Sequence, residues 1–128
     1  MTLEQAKERV LLQLMSAEIG SYMTMYAPEK TVVTISNLMR LTGFTRYGTR
    51  KACLALIDDG MIEFVSQGCP AVVSYGEVPE LVWDAGSPLN GYTMTKKAFE
   101  SDMWKEMYSE WCKSLEEWAN ENVKEAGA

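Results

Sequence analysis

Thr34-Ile35-Ser36-Asn37-Leu38-Met39-Arg40-Leu41-Thr42-Gly43-Phe44-Thr45-Arg46-Tyr47-Gly48-Thr49-Arg50-Lys51-Ala52, continuing through Leu54-Ala55-Leu56-Ile57-Asp58-Asp59-Gly60-Met61-Ile62, holds the densest set of start and stop signals in the chain. Thr34 or Ser36 can cap a helix from Ile35 to about Leu41 that buries Ile35, Leu38 and Met39, because a hydroxyl accepts from the free N–H groups of a first turn. Gly43 follows, where a tight or left-handed backbone is easy. Thr45 then caps a further helix, Arg46 to Asp59, whose apolar positions are Ala52, Cys53, Leu56 and Ile57. Gly60 lies just past its end, where helices favour glycine. Two helices joined by a short turn are therefore expected.

On the N-terminal side, Leu3, Ala6, Val10, Leu14 and Ala17 recur at helical spacing, with Leu11 widening the stripe. Residues 3 to 26 read as a helix, with Thr2 and Gln5 in capping-box spacing and Pro28 as the stop. Thr31 to Thr34 is a β-branched run suited to an edge strand. On the C-terminal side, Met61 to Val65 is a strand candidate and Tyr92-Thr93-Met94 its closing partner. Between them lies a Gly- and Pro-rich stretch with two β-prone runs, Ala71 to Tyr75 and Leu81 to Trp83. A connection that long is expected to contain structure, here an elaborated hairpin with turns at Cys69-Pro70-Ala71 and Gly86-Ser87-Pro88. Thr95 opens a last helix running to about Val123.

The length, 128 residues, suits one domain spanning 1–128 with a core at 31–95. With 47% hydrophobic and 23% charged residues, disorder of the whole chain is excluded. No apolar run is long enough for a membrane span, and the N-terminus mixes Glu4 and Glu8 with Lys7 and Arg9, so no secretory leader and a cytoplasmic location are expected. Cys53, Cys69 and Cys112 are odd in number and widely spaced, which argues for reduced thiols over disulfides or a zinc knuckle. The chain has no histidine, which removes the usual general base and zinc ligand. The acidic pairs Asp58-Asp59, Glu116-Glu117 and Glu106-Glu110 have no accompanying nucleophile or metal set, and no phosphate-binding glycine loop is present. A non-enzymatic protein without cofactor or metal is expected.

The quoted stretch resembles the helix-turn-helix of winged-helix regulators, with its glycine-containing turn and threonine-capped recognition helix. Leu54 to Ile62 is similar to that family's passage into the first wing strand. Gly91-Tyr92-Thr93-Met94-Thr95-Lys96-Lys97-Ala98 is similar to its return strand and following helix. The resemblance covers about residues 32 to 100 and extends to members encoded by phages or mobile elements. It implies an α+β winged helix-turn-helix with an extended wing hairpin and long terminal helices, acting as a sequence-specific transcriptional regulator on double-stranded DNA. The recognition helix would be 45–59, with Thr45, Arg46, Tyr47, Thr49, Arg50 and Lys51 at its start and Arg40 nearby. The wing departs from the pattern by its length and by an uncharged tip, which leaves a minor-groove contact without basic residues.

Two further patterns bear on partners. Trp104, Trp111 and Trp118 sit one heptad apart and join Met107, Tyr108 and Leu115 in one stripe on an acidic helix. The stripe suits packing on the first helix or the interface of a homodimer. Nine methionines, among them Met23, Met25, Met103 and Met107, read as adaptable core filler. The net charge of −6 favours another function class, an acidic protein-binding adaptor or inhibitor, possibly imitating DNA, on the same scaffold.

Overall fold

A computed structural model of the chain describes residues 1–22, 31–67, 70–75, 78–83 and 89–126. The architecture is α+β. Helices α1 (Leu3–Tyr22), α2 (Ile35–Thr42) and α3 (Arg46–Asp58) are followed by strands β1 (Ile62–Gln67), β2 (Pro70–Tyr75), β3 (Val78–Trp83) and β4 (Leu89–Met94), then by α4 (Lys96–Phe99) and α5 (Asp102–Ala126).

The helix starts are built as their cap residues dictate. Thr2 and Gln5 bond reciprocally: the Thr2 N–H donates to Gln5 Oε1 at 2.9 Å, and the Gln5 N–H to Thr2 Oγ1 at 3.2 Å. Thr34, rather than Ser36, caps α2, its Oγ1 accepting from the Asn37 N–H at 3.2 Å. Thr45 caps α3 in the same way, accepting from the Gly48 N–H at 3.1 Å. Gly43, at φ +76°, closes α2 by donating its N–H to Met39 O at 2.8 Å. Gly60, at φ +75°, turns the chain out of α3, and the Met61 N–H donates back to Leu56 O at 3.0 Å.

The core forms where the apolar sides of these elements meet. α1 contributes Val10, Leu11, Leu14 and Met15, α2 Leu38, and α3 Ala52, Cys53 and Leu56. Ile62, Tyr92 and Met94 close it from the sheet, and Ala98 and Trp104 from the C-terminal helices. The α1 stripe is rotated from the expected one: Leu3 is exposed and Ala6 and Ala17 are half-buried, because α1 presents its 10–15 side to α3. On α2 only Leu38 is fully buried, while Ile35 and Met39 sit at the margin.

β1 and β4 pair antiparallel with Ile62 opposite Met94 and Phe64 opposite Tyr92. Between them in sequence, β2 and β3 pair antiparallel as a separate two-stranded sheet. The expected hairpin therefore carries a second hairpin. Pro70 and Ala71 lie in β2 and not in a turn; a proline is tolerated as the first residue of a strand, where its missing N–H costs no ladder bond. The 31–34 segment makes a single bridge, Val33 to Tyr92, with both backbone bonds at 2.9 Å. Gly91 permits that approach: a Cβ there would stand 2.5 Å from Val33 O.

The expected last helix is divided. The Ser101 N–H turns back to Ala98 O at 3.2 Å, and Ser101 Oγ accepts from the Trp104 N–H at 3.3 Å, so a second cap starts α5. The expected continuation of α1 to residue 26, the stop at Pro28, Met23, Met25, Cys69 and the 86–88 turn lie outside the described residues. Among the described residues no helix is long and apolar enough to cross a membrane.

Candidate nucleic-acid interface

Thr45 sets where α3 begins, and the side chains of the first turns follow from its helical spacing. Arg46, Tyr47, Arg50 and Lys51 are exposed, Tyr47 by 76%. Thr49 is not available to a ligand, contrary to expectation. It is fully buried, and its Oγ1 donates to Thr45 O at 2.9 Å. About 100° around the helix from Arg50, it lies on the side that carries Ala52, Cys53 and Leu56 into the core.

Arg46 and Arg50, one turn apart, line a cleft of about 230 Å³ with Ile35, Phe64, Asn90, Gly91 and Tyr92. The sheet supplies its aromatic wall. Phe64 and Tyr92 are cross-strand partners whose rings meet edge-on at 5.5 Å. Ile62 and Phe64 share one face of β1, so that face begins in the core and ends half-exposed beside the two arginines. Lys51 is separated from this pair. It lines another cleft, of about 410 Å³, with Thr2, Ala6, Phe44 and Gly48. Arg40 is exposed on α2. The structure thus brings Arg46 and Arg50 together and divides the rest of the basic group.

The electrostatics of this region oppose those of the whole chain. None of the 18 acidic residues falls between positions 30 and 57, which hold Arg40, Arg46, Arg50 and Lys51. Ion pairs among the described residues are Lys7 with Glu4 and Asp59, and Lys96 with Glu100, none involving those four cations. Burial pushes the Cys53 thiol up to about 11, so it stays protonated in the core. Burial also raises the Tyr92 hydroxyl, with Cys53 adding to the effect and the Arg50 charge opposing it. The result is a cationic, partly aromatic surface, suited to an anionic polymer.

Sequence reasoning missed Phe64, Asn90 and Tyr92 as parts of this surface. The alternation of Ile62 and Phe64 was a usable signal, and so was the acid-free run from 30 to 57. Exposed Leu54 on α3, at 59%, was also missed.

The tryptophan stripe divides in two. Trp104 is buried at 7% exposure, its ring 5.0 Å from Phe99 and 6.5 Å from Tyr22, so it is a core residue of its own chain and not an interface residue. Its partner in that packing, Phe99, arrives because the chain breaks between α4 and α5. Met107 and Trp111 are half-buried, Trp111 against Tyr22 at 5.8 Å. Tyr108, Leu115 and Trp118 remain exposed at 42%, 40% and 64%. No protein-family model, curated protein or solved structure compared with the chain matches it.

Proposed function

We propose that the chain is a winged helix-turn-helix protein that binds double-stranded DNA and acts as a transcriptional regulator. In this reading α2 and α3 are the helix-turn-helix, α3 is the recognition helix, and β1 and β4 form the stem of an extended wing. The observation that carries it is the start of α3, in a stretch of sequence without carboxylates, where Arg46, Tyr47 and Arg50 stand exposed and without carboxylate partners among the described residues. A recognition helix enters the major groove with its N-terminal residues toward the base edges, which is where these side chains sit. Arginine bonds guanine bidentately, and tyrosine and lysine reach phosphates. Phe64 and Asn90 at the wing stem extend the same surface.

The double substitution Arg46→Ala and Arg50→Ala tests it. Both side chains are exposed, so the fold should persist by circular dichroism. At about 1–3 kcal/mol for each bidentate contact, binding to a selected duplex falls by at least about 30-fold. Unchanged affinity contradicts the reading.

A protein-binding adaptor on the same scaffold is the second reading. It is favoured by α5, whose exposed stretch from Cys112 to Asn122 carries Glu116, Glu117 and Glu121. Such an adaptor would not bind bulk DNA at low salt.

A further inference from the structure

Every residue of α5 from Cys112 to Asn122 is exposed. A bare helical stretch of that length is marginal in water, where helices draw most of their stability from packing an apolar side. This stretch has such a side. At about 100° per residue, Tyr108, Trp111, Leu115 and Trp118 fall within roughly 80° of one another around the helix. The beginning of the line, Trp104, is already closed inside the chain beneath Phe99 and Tyr22. Tyr22 covers Tyr108 and Trp111 only in part, and Leu115 and Trp118 stay exposed among the described residues.

Charge is placed unevenly along α5. Residues 102–106 carry Lys105 with Asp102 and Glu106, and residues 110–121 carry Glu110, Glu116, Glu117 and Glu121 against Lys113. A second α5 laid antiparallel sets the Glu116 end of each helix beside the Lys105 end of the other. A parallel pair sets the two acidic halves side by side and aligns the helix dipoles unfavourably. With Trp111 of both copies near the two-fold axis, Trp118 reaches the partner's cluster of Tyr22, Trp104 and Tyr108. Lys105 and Glu116 lie on the same flank of α5, so each then stands level with its opposite on the other copy.

We infer that α5 is a self-association surface occupied by a second copy of this chain, packed antiparallel about Trp111. At roughly 150–250 Å² per aromatic side chain, covering the exposed parts of Tyr22, Tyr108, Trp111, Leu115 and Trp118 removes on the order of 500 Å² per chain. The polar flanks bring this toward the roughly 800 Å² per partner of a standard interface. The inference concerns α5 alone and does not depend on DNA binding.

Sedimentation of the full chain under reducing conditions tests it first. The expected species has twice the 14.4 kDa chain mass, and Trp118→Glu or Leu115→Glu yields folded monomers, since both side chains are exposed within one chain. Orientation is read by crosslinking in a Cys69→Ser, Cys112→Ser background. Mild oxidation of a mixture of Lys105→Cys and Glu116→Cys chains gives mixed crosslinked dimers, and neither variant alone gives an appreciable yield. A chain that stays monomeric at millimolar concentration, or a dimer unaffected by Trp118→Glu, overturns the self-association. Same-variant crosslinks outnumbering mixed ones overturn the antiparallel register.

Discussion

Two glycines show how single positions set the sign of a substitution. At Gly91 an added Cβ meets Val33 O at 2.5 Å and Val32 Cγ1 at 2.8 Å, so β4 or the 31–34 segment must move and the Val33–Tyr92 bridge opens. At Gly20, inside α1, nothing lies within 4 Å of the same atom. Gly91→Ala is expected to cost about 1–3 kcal/mol, the usual range for overpacking, and Gly20→Ala to add about 0.5–1 kcal/mol by restricting the unfolded chain. Urea denaturation measures both. Caps such as Thr45 and stops such as Gly43 were legible because their effect is local. The burial of Thr49 and the constraint at Gly91 were not, since each is created by a segment remote in sequence. Thr49 looks like a surface threonine until the core covers the side of the helix it shares with Ala52, Cys53 and Leu56.

Among elements, the junction of α1 with α5 is sensitive to pH. Tyr22, at the end of α1, meets Trp104, Tyr108 and Trp111 of α5 and donates its hydroxyl to Glu18 Oε1 at 2.9 Å. Burial first, and then the Glu18 carboxylate, push its hydroxyl up to about 12 from an ordinary value of 10.0. The folded state therefore holds this proton more tightly than the unfolded chain. Its contribution is fully present below pH 10 and is lost as pH rises toward about 12. Cys53, raised by burial from 9.0 to about 11, loses its share between those values. Unfolding free energy measured against pH is expected to fall from about 9 upward, and Tyr22→Phe removes the upper part of that fall. An identical profile in the variant shows that Tyr22 does not couple to folding. Helix periodicity revealed both long helices. It did not reveal the break at Ser101, because the Ser101 cap competes with helix continuation through one side-chain hydrogen bond. Nor did it divide the tryptophan stripe, since spacing reports a common side and not what covers it.

Over the whole molecule, the deciding property is where charge lies and not its sum. The net charge of −6 coexists with a region from 30 to 57 that has no carboxylate. Among the described residues the acidic side chains lie on α1, the end of α3, the strands, the turn after α4 and α5, and the start of α3 carries cations alone. The Lys7–Asp59 pair, at 2.5 Å, ties down one carboxylate at the far end of α3, and the Lys97 ammonium donates to Asp59 O at 2.6 Å. Salt dependence of binding to a random-sequence duplex, followed by fluorescence anisotropy, tests the DNA-binding proposal most directly. If Arg40, Arg46, Arg50 and Lys51 each neutralise one phosphate, binding is present at low salt and log Kobs falls against log salt with a slope of about −3 to −4 per chain. No binding at low salt, or a slope near zero, contradicts DNA recognition by α3 and leaves the protein-binding reading in its place.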